Sequence, residues 1–560
     1  MKPSHPESRP RTRWLAALSC LTLAGAALAH HPARAATAPV TTQVRTDAGS
    51  VAGLSTSTGL SFWGIPFAAP PVGTLRWKAP APVQPWSGVR AATTPGHACK
   101  QDGSLPPAGV GDSAEDCLYL NVHVPAGLTN ASKAPVMFWI HGGAFITGSG
   151  SQYDGSRLAA ATGSVVVTTN YRLGIFGMLA LDALLAESPA GNPGLMDQQA
   201  ALRWVKRNIA AFGGDPARVT IFGQSAGGAS VCQQLASPTA AGLFHRAILQ
   251  SGPCTFGTAT KAAAITAGNA FADRLGCPTS MGATAQLACL RSKSSDEVFA
   301  AAPAFDFNDL RTLTAVTPYE DGVTLTAQPK DLVKQGKFNR VPVMIGSTKD
   351  EARLFIALAF DIRNGAAMTD AQYTAFIAAL SGGNATAAQT IAGLYTSSKY
   401  GSPGLAASAL MTDASFACGT QWSARQFSNY VATYTYEFQD QTVPPLVPDP
   451  FMAWGAYHAS ELPFLFQSAV ASTPPSPDPM SNFTTAQKQL ASQMVGYWGR
   501  FAATGNPNGN GQLNWPRFGL LAQNTLTLNS TGNGVNLSGG IASQHQCLLW
   551  DSIASLGVTP

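Results

Sequence analysis

Ser225 lies in Gly223-Gln224-Ser225-Ala226-Gly227, between an apolar run at 219–222 and a stretch of helical character at 226–234. A G-x-S-x-G segment between strand and helix makes a sharp turn. Its glycines leave no Cβ to collide, and the serine hydroxyl is pushed out above the sheet. A serine presented in this way can attack a carbonyl if three other parts stand nearby: a base, an acid that orients the base, and donors for the developing oxyanion. A structural Gly/Ser turn is the bland alternative, and the upstream sequence weighs against it. His141-Gly142-Gly143-Ala144-Phe145 follows a second strand-like run at 136–140. Consecutive glycines there let backbone N–H groups face a ligand, so the oxyanion donors are assigned to the amides of Gly142, Gly143 and Ala226.

The base must be a histidine, because imidazole takes and returns a proton near neutral pH without a large pKa shift. Past the first 35 residues the chain offers His97, His123, His141, His245, His458 and His545. His141 belongs to the glycine loop, where its ring more simply braces that loop. His458 stands in Trp454-Gly455-Ala456-Tyr457-His458-Ala459-Ser460-Glu461-Leu462, after a long excursion and where the chain should return to the active face of a sheet. The other histidines sit in ordinary strand, loop or helix contexts. For the acid, Glu351 follows the strand-like run 341–345, and carboxyl ends of strands are where an open α/β sheet assembles its site. Asp350 is adjacent, and the pattern alone leaves both carboxylates open. Ser251, after the run 246–250, is a candidate to hydrogen-bond the acid.

These side chains need a frame to hold them. Strand-like runs at 118–124, 136–140, 165–169, 219–222, 246–250, 341–345 and 433–438 alternate with helical patterns, notably 196–212. That alternation predicts an α/β protein with a large, mostly parallel sheet and helices on both faces. Two intervals, roughly 255–340 and 353–457, interrupt it; they read as helical excursions that shape a substrate pocket. Residues 61–82 are rich in proline and glycine but carry Phe62, Trp63, Ile65, Phe67 and Trp77, so they read as a packed connection. With 45% hydrophobic and 12% charged residues in 560, a sizeable core is available and a disordered chain is excluded. A net charge of +5 without a dense basic run implies no nucleic-acid partner.

The N-terminus reads as an address. Lys2, Arg9, Arg11 and Arg13 precede an apolar stretch at 14–29, and Ala33-Arg34-Ala35 offers a cleavage site, so residues 1–35 read as a signal peptide and 36–560 as a single catalytic domain. The apolar stretch is too short to span a membrane comfortably, and no second run of spanning length follows. Export to a periplasmic or extracellular compartment would suit the eight cysteines beyond Cys20. Five N-x-S/T sites, at Asn130, Asn384, Asn482, Asn529 and Asn536, matter only in a host that glycosylates.

The chain resembles the type B carboxylesterases of the carboxylesterase/cholinesterase family. The blocks that carry the likeness include GIPFAAPPVGTLRW at 64–77, EDCLYLNV at 115–122, FWIHGGAF at 138–145 and NYRLGIFG at 170–177. Others are the long run 191–228 around Ser225, GSTKDEARLF at 346–355, GAYHASELPFLF at 455–466 and GYWGRFAATGNPN at 496–508. The resemblance implies an α/β-hydrolase fold and the triad Ser225, Glu351 and His458, with the family's glutamate falling on Glu351. It also implies the ion pairs Arg76–Glu115 and Arg172–Asp197 and the disulfides Cys99–Cys117, Cys277–Cys289 and Cys418–Cys547. Cys232 and Cys254 receive no partner from it, and Cys232 can be read as a small buried hydrophobe.

Departures from the family pattern narrow the function. The segment between Cys99 and Cys117 is short and lacks a tryptophan. That argues against choline esters, whose cation an aromatic face would hold, and against a long lipase lid. The glycine loop reads HGGA rather than HGGG, and Gln224 stands where many relatives have glutamate; neither change removes a backbone donor. The expected function is a secreted serine esterase acting through an acyl-enzyme on small or medium carboxylic esters, without metal or cofactor. Its expected partner is a small-molecule ester, and the oligomeric state is left open, a monomer being compatible. Short-chain lipase and polyester- or polyurethane-type activity are alternatives within the enzymes. A non-catalytic binding protein of this fold is a reading from another class, disfavoured because all three triad residues are present.

Overall fold

Runs that are apolar on both faces make the centre of the molecule. In the computed structural model, which describes residues 39–101, 110, 112–303, 317–445, 449, 451–468, 479–509 and 511–554, they form one sheet of 11 strands. The proposed leader at 1–35 and most of the segment between Cys99 and Cys117 lie outside the described residues. In chain order the strands are β1 (Leu54–Thr56), β2 (Gly59–Pro66), β3 (Tyr119–Pro125), β4 (Ala134–Ile140), β5 (Val165–Thr169) and β6 (Gly214–Gln224). They continue as β7 (Arg246–Gln250), β8 (Val343–Thr348), β9 (Thr433–Phe438), β10 (Thr525–Leu528) and β11 (Asn536–Ser538). Across the sheet the order is β11-β10-β9-β8-β7-β6-β4-β5-β3-β2-β1. From β5 through β4 to β10 every pairing is parallel, and the remaining edge pairings are antiparallel.

Period-two alternation along β4 splits its side chains between two cores. Val136, Phe138 and Ile140 point to one face and pack with Leu202 and Trp204 of α1 (Pro193–Asn208) and Val231 and Leu235 of α2 (Ala226–Ala236). Met137 and Trp139 point to the other, with Met494, Trp498 and Phe501 of α4 (Thr485–Thr504). Each such side chain, fully withdrawn from water, contributes about 1.5–3 kcal/mol. Thr484 and Gln487 form a reciprocal capping box at the start of α4, satisfying two otherwise orphaned donors. This is the α/β-hydrolase architecture.

Strand β2 is a difference from the sequence reading, which treated 61–82 as connection. Its glycine and proline content hides a strand whose Phe62 and Ile65 are buried, with a register irregularity between Phe62 and Ile65 that absorbs Gly64. The two excursions carry most of their described residues in helices, for example Lys261–Arg274, Ala283–Ser292, Asp370–Leu380 and α3 (Cys418–Ser428), and the second also contains strand β9.

Four disulfides tie the described residues: Cys99–Cys117, Cys232–Cys254, Cys277–Cys289 and Cys418–Cys547. Cys232 is therefore not a free buried thiol. It bonds α2 to the turn after β7. Arg76 meets Glu115 at 2.5 Å and Arg172 meets Asp197 at 2.7 Å, both pairs nearly buried. The second is bidentate, and Asp197 also accepts the backbone N–H of Arg172 at 3.0 Å.

Candidate active site

Strand β6 ends at Gln224 and α2 begins at Ala226, so Ser225 must reverse the chain alone. It does so at φ 59°, ψ −126°, a conformation costing an L-residue on the order of 1–3 kcal/mol. Surrounding contacts hold it there: Ser225 N–H donates to Gln250 O of β7 at 2.8 Å, and Ser225 O accepts from Ala229 N–H at 2.9 Å. As first residue of α2, Ala226 has an N–H with no acceptor inside the helix, at the positive end of the helix dipole.

The glycine loop leaves β4 beside this turn. A Cβ on Gly142 would lie 2.7 Å from Gln224 O and 3.0 Å from Ser225 Cβ, and one on Gly143 would lie 2.1 Å from Thr147 O. Only glycine lets the loop approach so closely. Ala144 and Phe145 hold positive φ (53° and 63°) immediately after. Gln101 supports the loop from behind, its Oε1 accepting from Thr147 Oγ1 and Gly148 N–H, each at 2.7 Å. The His141 ring stacks on Tyr171 with centroids 4.4 Å apart, its Nδ1 lies 2.8 Å from Gly142 O, and Tyr171 donates to His141 O. Burial lowers the His141 pKa to about 4, so this ring is a neutral brace.

Glu351 and His458 come from opposite ends of the second excursion and meet. Glu351 follows β8, is fully buried, and accepts the Thr348 N–H at 2.8 Å through Oε1. Its Oε2 lies 2.5 Å from His458 Nδ1. A carboxylate facing Nδ1 places the ring proton there and leaves the lone pair on Nε2. That Nε2 faces Gln224 Nε2 at 3.0 Å. Gln224 immediately precedes Ser225, so the Glu351–His458 pair meets the chain next to the serine turn, which itself lies against the glycine loop. The neighbouring Asp350 instead pairs with Arg353 at 2.7 Å and accepts from Ala456 N–H. Ser251 Oγ is buried without a hydrogen-bond partner, so the bond to the acid considered from sequence is not formed.

Sequence reasoning missed several participants. The Gln224 side chain reaches the histidine, a contact that the G-x-S-x-G pattern does not signal. Phe355 and Phe416 flank the His458 ring at centroid distances of 4.9 and 5.3 Å. Glu461, three residues past His458, is fully buried and accepts from Gln250 Nε2 at 3.0 Å, while Gln250 Oε1 accepts from Trp498 Nε1. Desolvation, reinforced by the charge of Glu351, raises the Glu461 pKa to about 7. The block GAYHASELPFLF contained this carboxyl, but a string of letters does not show its burial. No group of three or more metal-ligating side chains occurs among the described residues.

Comparisons with known proteins agree with this architecture. The model of the carboxylesterase family matches residues 40–550. The chain is 37% identical to the para-nitrobenzyl esterase of Bacillus subtilis (strain 168), over 87% of this chain and 94% of that one. It is 36% identical to the cocaine esterase of Homo sapiens, over 82% of this chain and 81% of that one. With carboxylesterase 1C of Rattus norvegicus it shares 34% identity over 90% and 92%. A solved PNB esterase superposes with a TM-score of 0.74 at 36% identity, covering 90% of this chain and 99% of the other. Family match, whole-length relatives and fold agree: the chain belongs to the carboxylesterase family, carboxylic ester hydrolases built on the α/β-hydrolase fold.

Proposed function

We propose that this protein is a secreted serine carboxylesterase that cleaves small or medium carboxylic esters through an acyl-enzyme on Ser225. His458 Nε2 takes the proton of Ser225 Oγ as the oxygen attacks the ester carbonyl. Glu351 keeps the proton on Nδ1 and stabilises the imidazolium that forms. The amides of Gly142, Gly143 and Ala226 receive the oxyanion; removing one such donor elsewhere costs about 2.7–4 kcal/mol of transition-state stabilisation. Collapse of the tetrahedral intermediate expels the alcohol, which leaves with the proton from His458. Water, deprotonated by the same imidazole, then attacks the acyl-enzyme, and a second collapse frees the acid and restores Ser225.

The observation that carries this reading is the 2.5 Å contact between His458 Nδ1 and Glu351 Oε2, which sets the tautomer a general base needs. The contact of Nε2 with Gln224 suits an enzyme without substrate, where bonds to the nucleophile are often loose and tighten in the complex. Export is supported by the leader-like residues 1–35 and by four disulfides. No described helix is long and apolar enough to cross a membrane. A panel of p-nitrophenyl esters from acetate to laurate, with one choline ester, tests the reading. Turnover greatest at short or medium chains, negligible choline-ester hydrolysis and no turnover by Ser225→Ala are expected; wild-type turnover by that variant would overturn it.

A further inference from the structure

Behind the candidate site, the C-terminal arm is pinned by a charge cluster that the reaction above does not use. His545 precedes α5 (Cys547–Ala554) and is buried. Both its ring nitrogens face carboxylates: Nδ1 lies 2.5 Å from Asp413 Oδ1, and Nε2 lies 2.8 Å from Glu437 Oε1 of β9. Partners that can only accept require a proton on each nitrogen, so the ring is an imidazolium. Desolvation opposes that charge, but Glu437 and Asp413 together outweigh it and push the pKa up to about 10. The cluster extends further. Asp413 Oδ2 accepts from Tyr395 OH at 2.7 Å, Tyr395 OH accepts from Trp550 Nε1 at 3.0 Å, and the Cys418–Cys547 disulfide lies alongside.

Asp413 belongs to a short stretch of π-helix, Thr412–Ala417, from which Thr412 and Phe416 reach the candidate site. Thr412 Oγ1 accepts the N–H of Ala352, the residue after Glu351, at 3.0 Å. Phe416 packs on the His458 ring and stacks on Phe355 at 5.7 Å, and Phe355 packs on His458 as well. One turn thus holds the C-terminal histidine on one side and backs both the acid and the base on the other. π-Helical turns are rare and concentrate at functional sites, and this one has a charged clamp at its single carboxylate, Asp413.

We propose that His545 is a positioning residue for the Glu351–His458 pair, acting through the Thr412–Ala417 turn. This rests on the assignment of Ser225, Glu351 and His458 given above. Removing the imidazolium leaves Asp413 and Glu437 as buried carboxylates repelling each other without a cation between them. Asp413 then withdraws, and the turn carries Thr412 away from Ala352 and Phe416 away from His458. A base displaced by a fraction of an ångström still binds ester but transfers the proton poorly.

The test uses the full chain with p-nitrophenyl butyrate, comparing wild type with His545→Gln, Asp413→Asn, Phe416→Leu and Ser225→Ala after near-UV circular dichroism has confirmed native packing. His545→Gln is expected to lower kcat on the order of 10–100-fold with KM within about twofold of wild type. Phe416→Leu is expected to move kcat in the same direction by less. Wild-type kcat in folded His545→Gln, or a loss confined to KM, overturns the positioning role. If His545→Gln yields no folded protein, Asp413→Asn carries the test, because it weakens the clamp from the side of the turn without touching Glu351 or His458; unchanged kcat there overturns the proposal, and lowered kcat at unchanged KM supports it. Ser225→Ala separates the two levels. Wild-type turnover in that variant removes the underlying assignment, whereas an inactive Ser225→Ala beside a fully active His545→Gln refutes the positioning role alone.

Discussion

The side-chain nitrogens of Gln224 and His458 meet at 3.0 Å, on the nitrogen of the imidazole that does not face Glu351. An uncharged amide therefore touches the lone pair that must receive the serine proton. Many relatives have a carboxylate at this position, and the difference is electrostatic rather than steric.

Gln224→Glu accordingly makes the charged form of the base easier to reach. A negative group within hydrogen-bonding distance of an imidazole favours its protonated state, and the protonated ring cannot act as base. The acid limb of kcat/KM moves to higher pH by on the order of one unit, with the alkaline plateau retained. A pH–rate profile with p-nitrophenyl acetate reads this directly; an unmoved acid limb contradicts the assigned contact.

The charged clamp at His545 gives stability its own pH window. Its folded pKa, about 10, lies above the ordinary 6.5. Its contribution is fully present below pH 6.5 and is lost as pH rises towards 10. Glu437 has the opposite sign: burial opposes its charge, but His545 outweighs it and lowers the pKa below the ordinary 4.5, so its contribution is lost under acid conditions. Thermal midpoints of wild type and His545→Gln are expected to differ most near pH 5.5–6.5 and to converge towards pH 10. A constant gap across that range would contradict the charged state of the histidine.

Glu461 follows His545 in sign and opposes Glu437. Burial and the charge of Glu351 raise its pKa to about 7 from 4.5, so the folded state holds a proton that the unfolded chain releases, and stability falls as pH rises through that interval. Glu461→Gln removes this penalty while keeping an acceptor for Gln250. Its stability relative to wild type is expected to increase from pH 5 to pH 8 by on the order of 3 kcal/mol, read by denaturant titration at both pH values. No change in the difference would mean the carboxyl is not held neutral.

Gly142→Ala tests the oxyanion loop without replacing a triad residue. The new Cβ would sit 2.7 Å from Gln224 O and 3.0 Å from Ser225 Cβ, so the loop must retreat from the nucleophile. A fall in kcat on the order of 10²–10³-fold at little-changed KM is expected, as when a single oxyanion donor is removed. A variant with full kcat would mean these amides do not serve the reaction.

The sequence disclosed the centre of the sheet because strands such as β4 and β5 are apolar on both faces and bounded by loops. It concealed β2, where Gly64 and Pro66 look like turn residues although neighbouring strands enforce extension. The short strands β10 and β11, at one end of the sheet, carry too few residues to show a period. Ser225, Glu351 and His458 stood out by motif, chain order and resemblance; the structure joins Glu351 to His458 and sets the far nitrogen of the imidazole against Gln224, the residue before Ser225. The contact of Gln224 with His458, the aromatic flanks Phe355 and Phe416 and the buried charge of His545 were not legible. Each depends on which way a side chain turns, at a strand end for Gln224, within the second excursion for Phe355 and Phe416, and at the C-terminal arm for His545.

The most direct measurement is covalent. Incubating the protein with a fluorophosphonate and mapping the adduct by peptide mass spectrometry should place one phosphonyl group on Ser225, with labelling lost in Ser225→Ala and strongly slowed in His458→Ala. An adduct on another serine, or an active enzyme that takes up no label, would contradict the account.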